Sequence, residues 1–140
     1  MSLLIKEASC SWSSASFTAD TSLSLCSEIN INFWKKTEKH FARDHFKLKK
    51  DKKIILFGST SGTNKRKGFN YLIEALNNLS DKNFILAVAG VKPKELNKLK
   101  CDYMYVGEVN KNDERRLLLS ASDLIVMPST LENFGLFSLE

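Results

Sequence analysis

The feature that most constrains this chain is a rhythm beginning near residue 53: short apolar runs, each closed by a glycine or proline, alternate with stretches of helical periodicity. The runs are 53–57 (ending at Gly58), 83–90 (ending in Gly90), 103–107 (ending in Gly107) and 123–128 (ending in Pro128). Continuous apolar runs of this length suit strands buried on both faces, as in parallel sheets. Between the first two, Phe69, Leu72, Ile73, Leu76 and Leu79 recur at helical spacing, which predicts an amphipathic helix. Pro93 suits the first turn of a short helix over 93–99. Asn112 is a candidate cap for a helix carrying Leu117, Leu118 and Ala121, with Asp113 and Glu114 favouring its positive end. Strand, helix, strand repeated in this way is the pattern of βαβ units. The expected fold class is α/β, a Rossmann-like parallel sheet with helices on both faces.

Two further segments complete the reading. An amphipathic helix is expected over about 36–46, followed by a charged connector at 47–53. A helix is expected to open at 134–140, with no stop signal before Glu140. Residues 1–28 are rich in Ser and Thr and show no clean period, apart from a weak alternation at Leu23, Leu25 and Ile29. The division expected is therefore a Ser-rich segment at 1–28, the remnant of an upstream domain or of a linker, and a partial domain at 29–140, cut within an element.

Composition narrows the function classes. With 43% hydrophobic and 26% charged residues, the chain resembles an ordinary globular protein rather than a disordered one. A net charge of +5 suits an anionic partner without choosing between nucleic acid, phosphate ligand and acidic membrane. Cys10, Cys26 and Cys101 form no CxxC pair, and read as free thiols of a reducing compartment. His40 and His45 read as exposed helix residues. No apolar run approaches the roughly 20 residues of a membrane span, and Lys6 and Glu7 interrupt the apolar start, so the location expected is cytoplasmic.

In an open parallel sheet, ligands bind beyond the carboxyl ends of the strands. Two of the loops there carry chemistry. In the first, Gly58, Ser59, Gly62 and neighbouring small residues let backbone approach a ligand, and Lys65, Arg66, Lys67 and Gly68 lead into a helix. Amides, helix dipole and cations together suit a phosphate or diphosphate. Neither Gly-x4-Gly-Lys-Ser/Thr nor Gly-x-Gly-x-x-Gly occurs. A solvated basic loop is the competing reading. The second loop runs from Pro128 through Glu132, Asn133, Phe134 and Gly135 to Glu140, with seven residues between the two glutamates. Carboxylates suit sugar hydroxyls, because they accept charge-assisted hydrogen bonds. The competing reading makes Glu132 a helix cap and Glu140 a surface residue.

Pro128-Ser129-x-x-Glu132-Asn133-Phe134-Gly135-x4-Glu140 resembles the glutamate-x7-glutamate motif of group 1 (GT4-like) glycosyltransferases of the GT-B fold. Gly58, followed at a distance by Lys67-Gly68 and then Leu72-Ile73-x-Ala75-Leu76, is similar to that family's diphosphate loop and its next helix. Val106-Gly107 and Ala121-Ser122-Asp123-Leu124 fall where the family has comparable residues. The resemblance covers about residues 52–140 and implies a partial C-terminal donor-binding domain of a retaining enzyme. It further implies a nucleotide-diphosphate sugar as donor, with neither metal nor cofactor taking part.

Carried over by position, Lys67 neutralises the diphosphate, Glu132 contacts the transferred sugar and Glu140 holds the ribose hydroxyls. Amides near Asn133, Phe134 and Gly135 face the sugar or phosphate, while Gly58, Ser59, Arg66 and Gly68 complete the donor loop. Family members often carry an arginine where this chain has Ser59. The resemblance also implies a separate acceptor-binding domain, without which the chain is expected to be inactive. It implies no nucleic acid, and it is compatible with peripheral membrane association of the full enzyme. Two rivals remain at this level: a basic module binding RNA or anionic lipid through 47–53 and 65–67, and a truncated product without independent function.

Overall fold

The computed structural model describes residues 30–59 and 65–131. Four strands form one sheet, and every pairing is parallel: β1 (Lys53–Ser59), β2 (Phe84–Gly90), β3 (Tyr103–Gly107) and β4 (Leu124–Ile125), in the order β3-β2-β1-β4. Among the described residues three α-helices accompany them: α1 (Lys39–His45), α2 (Phe69–Asn78) and α3 (Asn112–Ala121). Short 3₁₀ turns cover Lys65–Lys67 and Lys94–Lys98.

The period of two along each strand sorts side chains into two cores. Ile54, Leu56, Ile85, Ala87 and Ala89 pack with Ala42 of α1, Leu48, and Leu118 and Ala121 of α3. Phe57, Phe84, Leu86 and Val88 point to the other face, where they meet Phe69, Leu72, Ile73 and Leu76 of α2 and Leu96. Helices therefore lie on both faces. The order of strands also fixes where the chain reverses. From β1 it moves through α2 to β2 and on to β3; α3 then returns it past β1 to β4. The carboxyl ends of β1 and β4 consequently flank a switch point, the usual ligand crevice of such sheets.

The expected elements form, with four adjustments. Asn112 is the first helical residue rather than the cap; Lys111 occupies the cap position, with no side-chain bond. Pro93 stands just ahead of its 3₁₀ turn, not inside it. The fourth strand pairs over Leu124–Ile125 only, flanked by main-chain bonds from Asp123 N–H to the Ile54 carbonyl and from Val126 N–H to the Leu56 carbonyl. Leu48, within the charged connector, is buried, whereas Phe41 on α1 is 61% exposed. The connector seats Leu48 because Lys47 adopts φ 55, with Leu48 N–H bonding to the Arg43 carbonyl. Strand periodicity at Leu23–Ile29 and the helix expected at 134–140 lie outside the described residues.

Helix α1 is held at both ends. Glu38 accepts from the N–H groups of Phe41 (2.6 Å) and His40 (3.0 Å), which together hold its carboxyl below the usual range. Near the other end, Arg43 is 4% exposed. Its guanidinium donates to the carbonyls of Ala121 (3.1 Å), Lys49 (3.3 Å) and Lys50 (2.9 Å) and to Asp123 Oδ2 (2.6 Å). Asp123 also takes the Ile54 N–H (2.7 Å) and Lys39 Nζ (2.7 Å). Burial pushes the Asp123 carboxyl up, but the Lys39 and Ile54 hydrogen bonds and the charges of Arg43 and Lys39 outweigh it, leaving its pKa lowered. One ion pair, with its arginine buried and its aspartate partly exposed, thus ties α1 to the amino ends of β1 and β4.

Candidate functional site

At the carboxyl ends of β1 and β4 the two loops singled out from the sequence come together. Gly58 and Ser59 end β1, in register with Ala89 and Gly90 of β2. The chain re-emerges in the 3₁₀ turn Lys65–Lys67 and passes through Gly68 into α2. Gly68 caps α2 with φ 70, a left-handed conformation that side chains other than glycine adopt at a cost of roughly 1–2 kcal/mol. It accepts from the N–H groups of Tyr71 (3.0 Å) and Leu72 (3.2 Å), opening the helix without a capping side chain.

Space imposes the same choice. A Cβ at Gly68 would collide with the Pro128 carbonyl, whose carbon would lie only 2.7 Å away. Pro128 belongs to the loop after β4, so the two loops touch at this glycine. A second contact joins them: Thr130 N–H donates to the Arg66 carbonyl at 2.9 Å, with Thr130 Oγ1 at 3.4 Å from the same oxygen. The basic turn before α2 and the turn after β4 therefore share one rim of one parallel sheet.

Of the residues assigned from the resemblance, the structure brings Gly58, Ser59, Arg66, Lys67 and Gly68 to this rim. Glu132, Asn133, Phe134, Gly135 and Glu140 lie outside the described residues. Leu131, the last described residue before them, is one position beyond the Thr130 anchor. The contacts that Pro128 and Thr130 make here are ones that sequence reasoning did not anticipate. Their partners are backbone carbonyls or a glycine, so nothing in their own side-chain chemistry announces the contact. Among the described residues, no three of His, Cys, Asp and Glu converge to hold a metal ion.

A sheet of this order, with a basic turn and a helix start beside its switch point, suits a phosphorylated ligand. The comparison with protein families names the class: residues 39–140 match the family model described as glycosyl transferases group 1. The chain belongs to that family. No curated protein and no solved structure matches it. As a group 1 glycosyltransferase domain, it serves glycosyl transfer, and a nucleotide sugar is its general class of donor. The parallel α/β architecture agrees with that membership. Among the described residues of this glycosyltransferase domain, no helix is long and apolar enough to cross a membrane.

Proposed function

We propose that this chain is the donor-binding, C-terminal domain of a retaining, GT4-like glycosyltransferase of the GT-B fold. It takes a nucleotide-diphosphate sugar at the rim between β1 and β4, and the sugar passes to an acceptor bound by another domain. Residues 29–140 act as the donor-binding unit, and 1–28 serve as a linker. The chain works in the cytoplasm, with peripheral membrane association open to the full enzyme, and alone it does not turn over substrate. The observation that carries this reading is the contact of Gly68 with Pro128. It seats the turn carrying Lys67 beside the segment that leads one residue past Leu131 to Glu132.

The roles follow from the chemistry. Negative charge grows on the diphosphate as its bond to the sugar breaks, and a fixed cation with helix amides stabilises it most at that moment. Lys67 supplies the charge and the start of α2 the dipole. Gly58, Ser59 and Gly68 let backbone approach, and Arg66 takes the part that an arginine at position 59 plays elsewhere in the family. Glu132 contacts the transferred sugar, Glu140 the ribose hydroxyls, and amides around Asn133, Phe134 and Gly135 complete the cradle. No metal or cofactor takes part.

Calorimetric titration of the chain with UDP, GDP, ADP and their sugar conjugates tests the proposal. Saturable binding of one class is expected, weakened about tenfold in Lys67→Ala, as for loss of one charge-assisted contact. A folded chain that binds none of them overturns it. The rival reading, a basic RNA- or lipid-binding module, loses ground at the connector: Lys50 pairs with Asp44 (2.8 Å) and Lys52 with Asp102 (2.7 Å), so that run is partly neutralised.

A further inference from the structure

We propose a second anion site, remote from the donor rim, that takes a phosphate group in the pocket between the segment before α1 and the last turn of α3. The pocket has a volume of about 230 Å³, and Trp34, Lys35, Lys36 and Arg116 line it. It lies where α3 leads into the amino end of β4, whereas the donor rim lies beyond that strand's carboxyl end. Its size is informative. One liquid water occupies about 30 Å³, so the space holds several, yet it falls below the roughly 300–1,000 Å³ usual for drug-sized ligands. A phosphate or phosphorylated headgroup fits that interval.

The polar inventory points to an anion. Ser120 Oγ donates to the Arg116 carbonyl (2.9 Å) and accepts from Thr37 N–H (3.0 Å), and Ser122 Oγ donates to the Leu118 carbonyl (2.8 Å). The hydroxyl hydrogens are thus spent within the helix, and the charged donors are Lys35, Lys36 and Arg116. Arg116 Nε is buried without a hydrogen-bond partner among the described residues. The rest of its guanidinium stacks over Phe33 (5.3 Å to the ring centre), and one terminal nitrogen lies 3.8 Å from Asp113. The ring of Phe33 in turn meets Trp34 edge-on at 5.1 Å, which fixes the aromatic wall.

Neutralising the end of α3 does not account for three cations. A helix C-terminus carries about half a negative charge, and Asp113 adds one more at the edge of hydrogen-bonding range. The pocket stays net positive, with an orphaned guanidinium N–H. A phosphate supplies an oxygen for the unpartnered Nε–H and offsets the positive charge that Asp113 and the helix end leave.

Trp34 makes the test direct. The chain has two tryptophans, and Trp12→Phe leaves Trp34 as the sole reporter. Its fluorescence is followed while the full chain is titrated with inorganic phosphate and, separately, with vesicles of phosphatidic acid or of phosphatidylcholine alone. Arg116→Gln and the more solvated Lys36→Gln serve as variants, and donor binding at the rim is the control for folding. A saturable response to inorganic phosphate, about tenfold weaker in both variants with donor binding intact, supports the site and a soluble phosphate. A response confined to phosphatidic acid vesicles, and lost in both variants, supports the site with a lipid headgroup as its source. No response to either probe, or responses unchanged in both variants, overturns it. Because donor binding is read separately, its failure would not be mistaken for failure of this pocket.

Discussion

At the amino end of the β1–β4 pair, Arg43 and Asp123 saturate each other and the main-chain groups around them. At the carboxyl end, the loops meet through main-chain atoms instead, with Thr130 bonded to the Arg66 carbonyl and Gly68 pressed against Pro128. The first arrangement uses charge to hold the domain together. The second uses backbone to hold it together: a carbonyl of the 65–67 turn and an N–H of the turn after β4 make the bond between the loops. The two ends of one strand pair thus use different means, side-chain charge at one and main-chain contact at the other.

The sharpest way to break this contrast is Gly68→Val. A left-handed φ and collision with the Pro128 carbonyl act together, and about 3 kcal/mol or more of stability should be lost, with donor binding lost as well. Urea unfolding and calorimetry measure the two effects. A stable variant that retains the donor would show that the loops do not touch as described.

Asp123→Ala attacks the other end. Arg43, left buried with its remaining carbonyl partners, should cost the fold about 3 kcal/mol, read as a lower midpoint in urea. Donor affinity per folded molecule should not change. The same carboxylate predicts a pH response. Its folded pKa is lowered, so the unfolded chain binds the proton more tightly; the stabilisation is complete above roughly pH 4 and is lost as pH falls through the depressed value. Unfolding midpoints measured down to pH 3 should fall in the parent and fall less steeply in Asp123→Asn.

Lys67→Ala should weaken the donor about tenfold and cost the fold less than Asp123→Ala does, the reverse of the Asp123 result. Raising the salt should shrink that difference. The smallest effect expected is at Lys52, whose partner Asp102 is well exposed. Lys52→Ala should move neither midpoint nor affinity detectably, because exposed ion pairs contribute little.

These two ends were not equally legible in the sequence. The sheet was: Ile54, Leu56 and Phe57 in one run and 84–89 in another are apolar on both faces, which few folds other than a parallel sheet accommodate. The basic turn and its glycine were legible as well, since Lys65, Arg66 and Lys67 before a helix carry their chemistry in their side chains. The Arg43–Asp123 pair was hidden. Arg43 sits in a helix dense with charge, where an arginine normally faces water, and only the long-range fold brings Asp123 to it. Asn112 misled for a related reason: its side chain suits a cap, but the helix begins at it rather than after it. The joint between the rim loops was invisible because a carbonyl and an N–H belong to every residue, and only the strand order decides which ones meet.

That joint has a mechanical consequence. With Gly68 wedged under Pro128 and Thr130 latched to Arg66, the turn after β4 cannot swing outward without dragging the start of α2 along. The described parts of the two loops are thus coupled: a displacement at 128–130 is passed directly to 66–68.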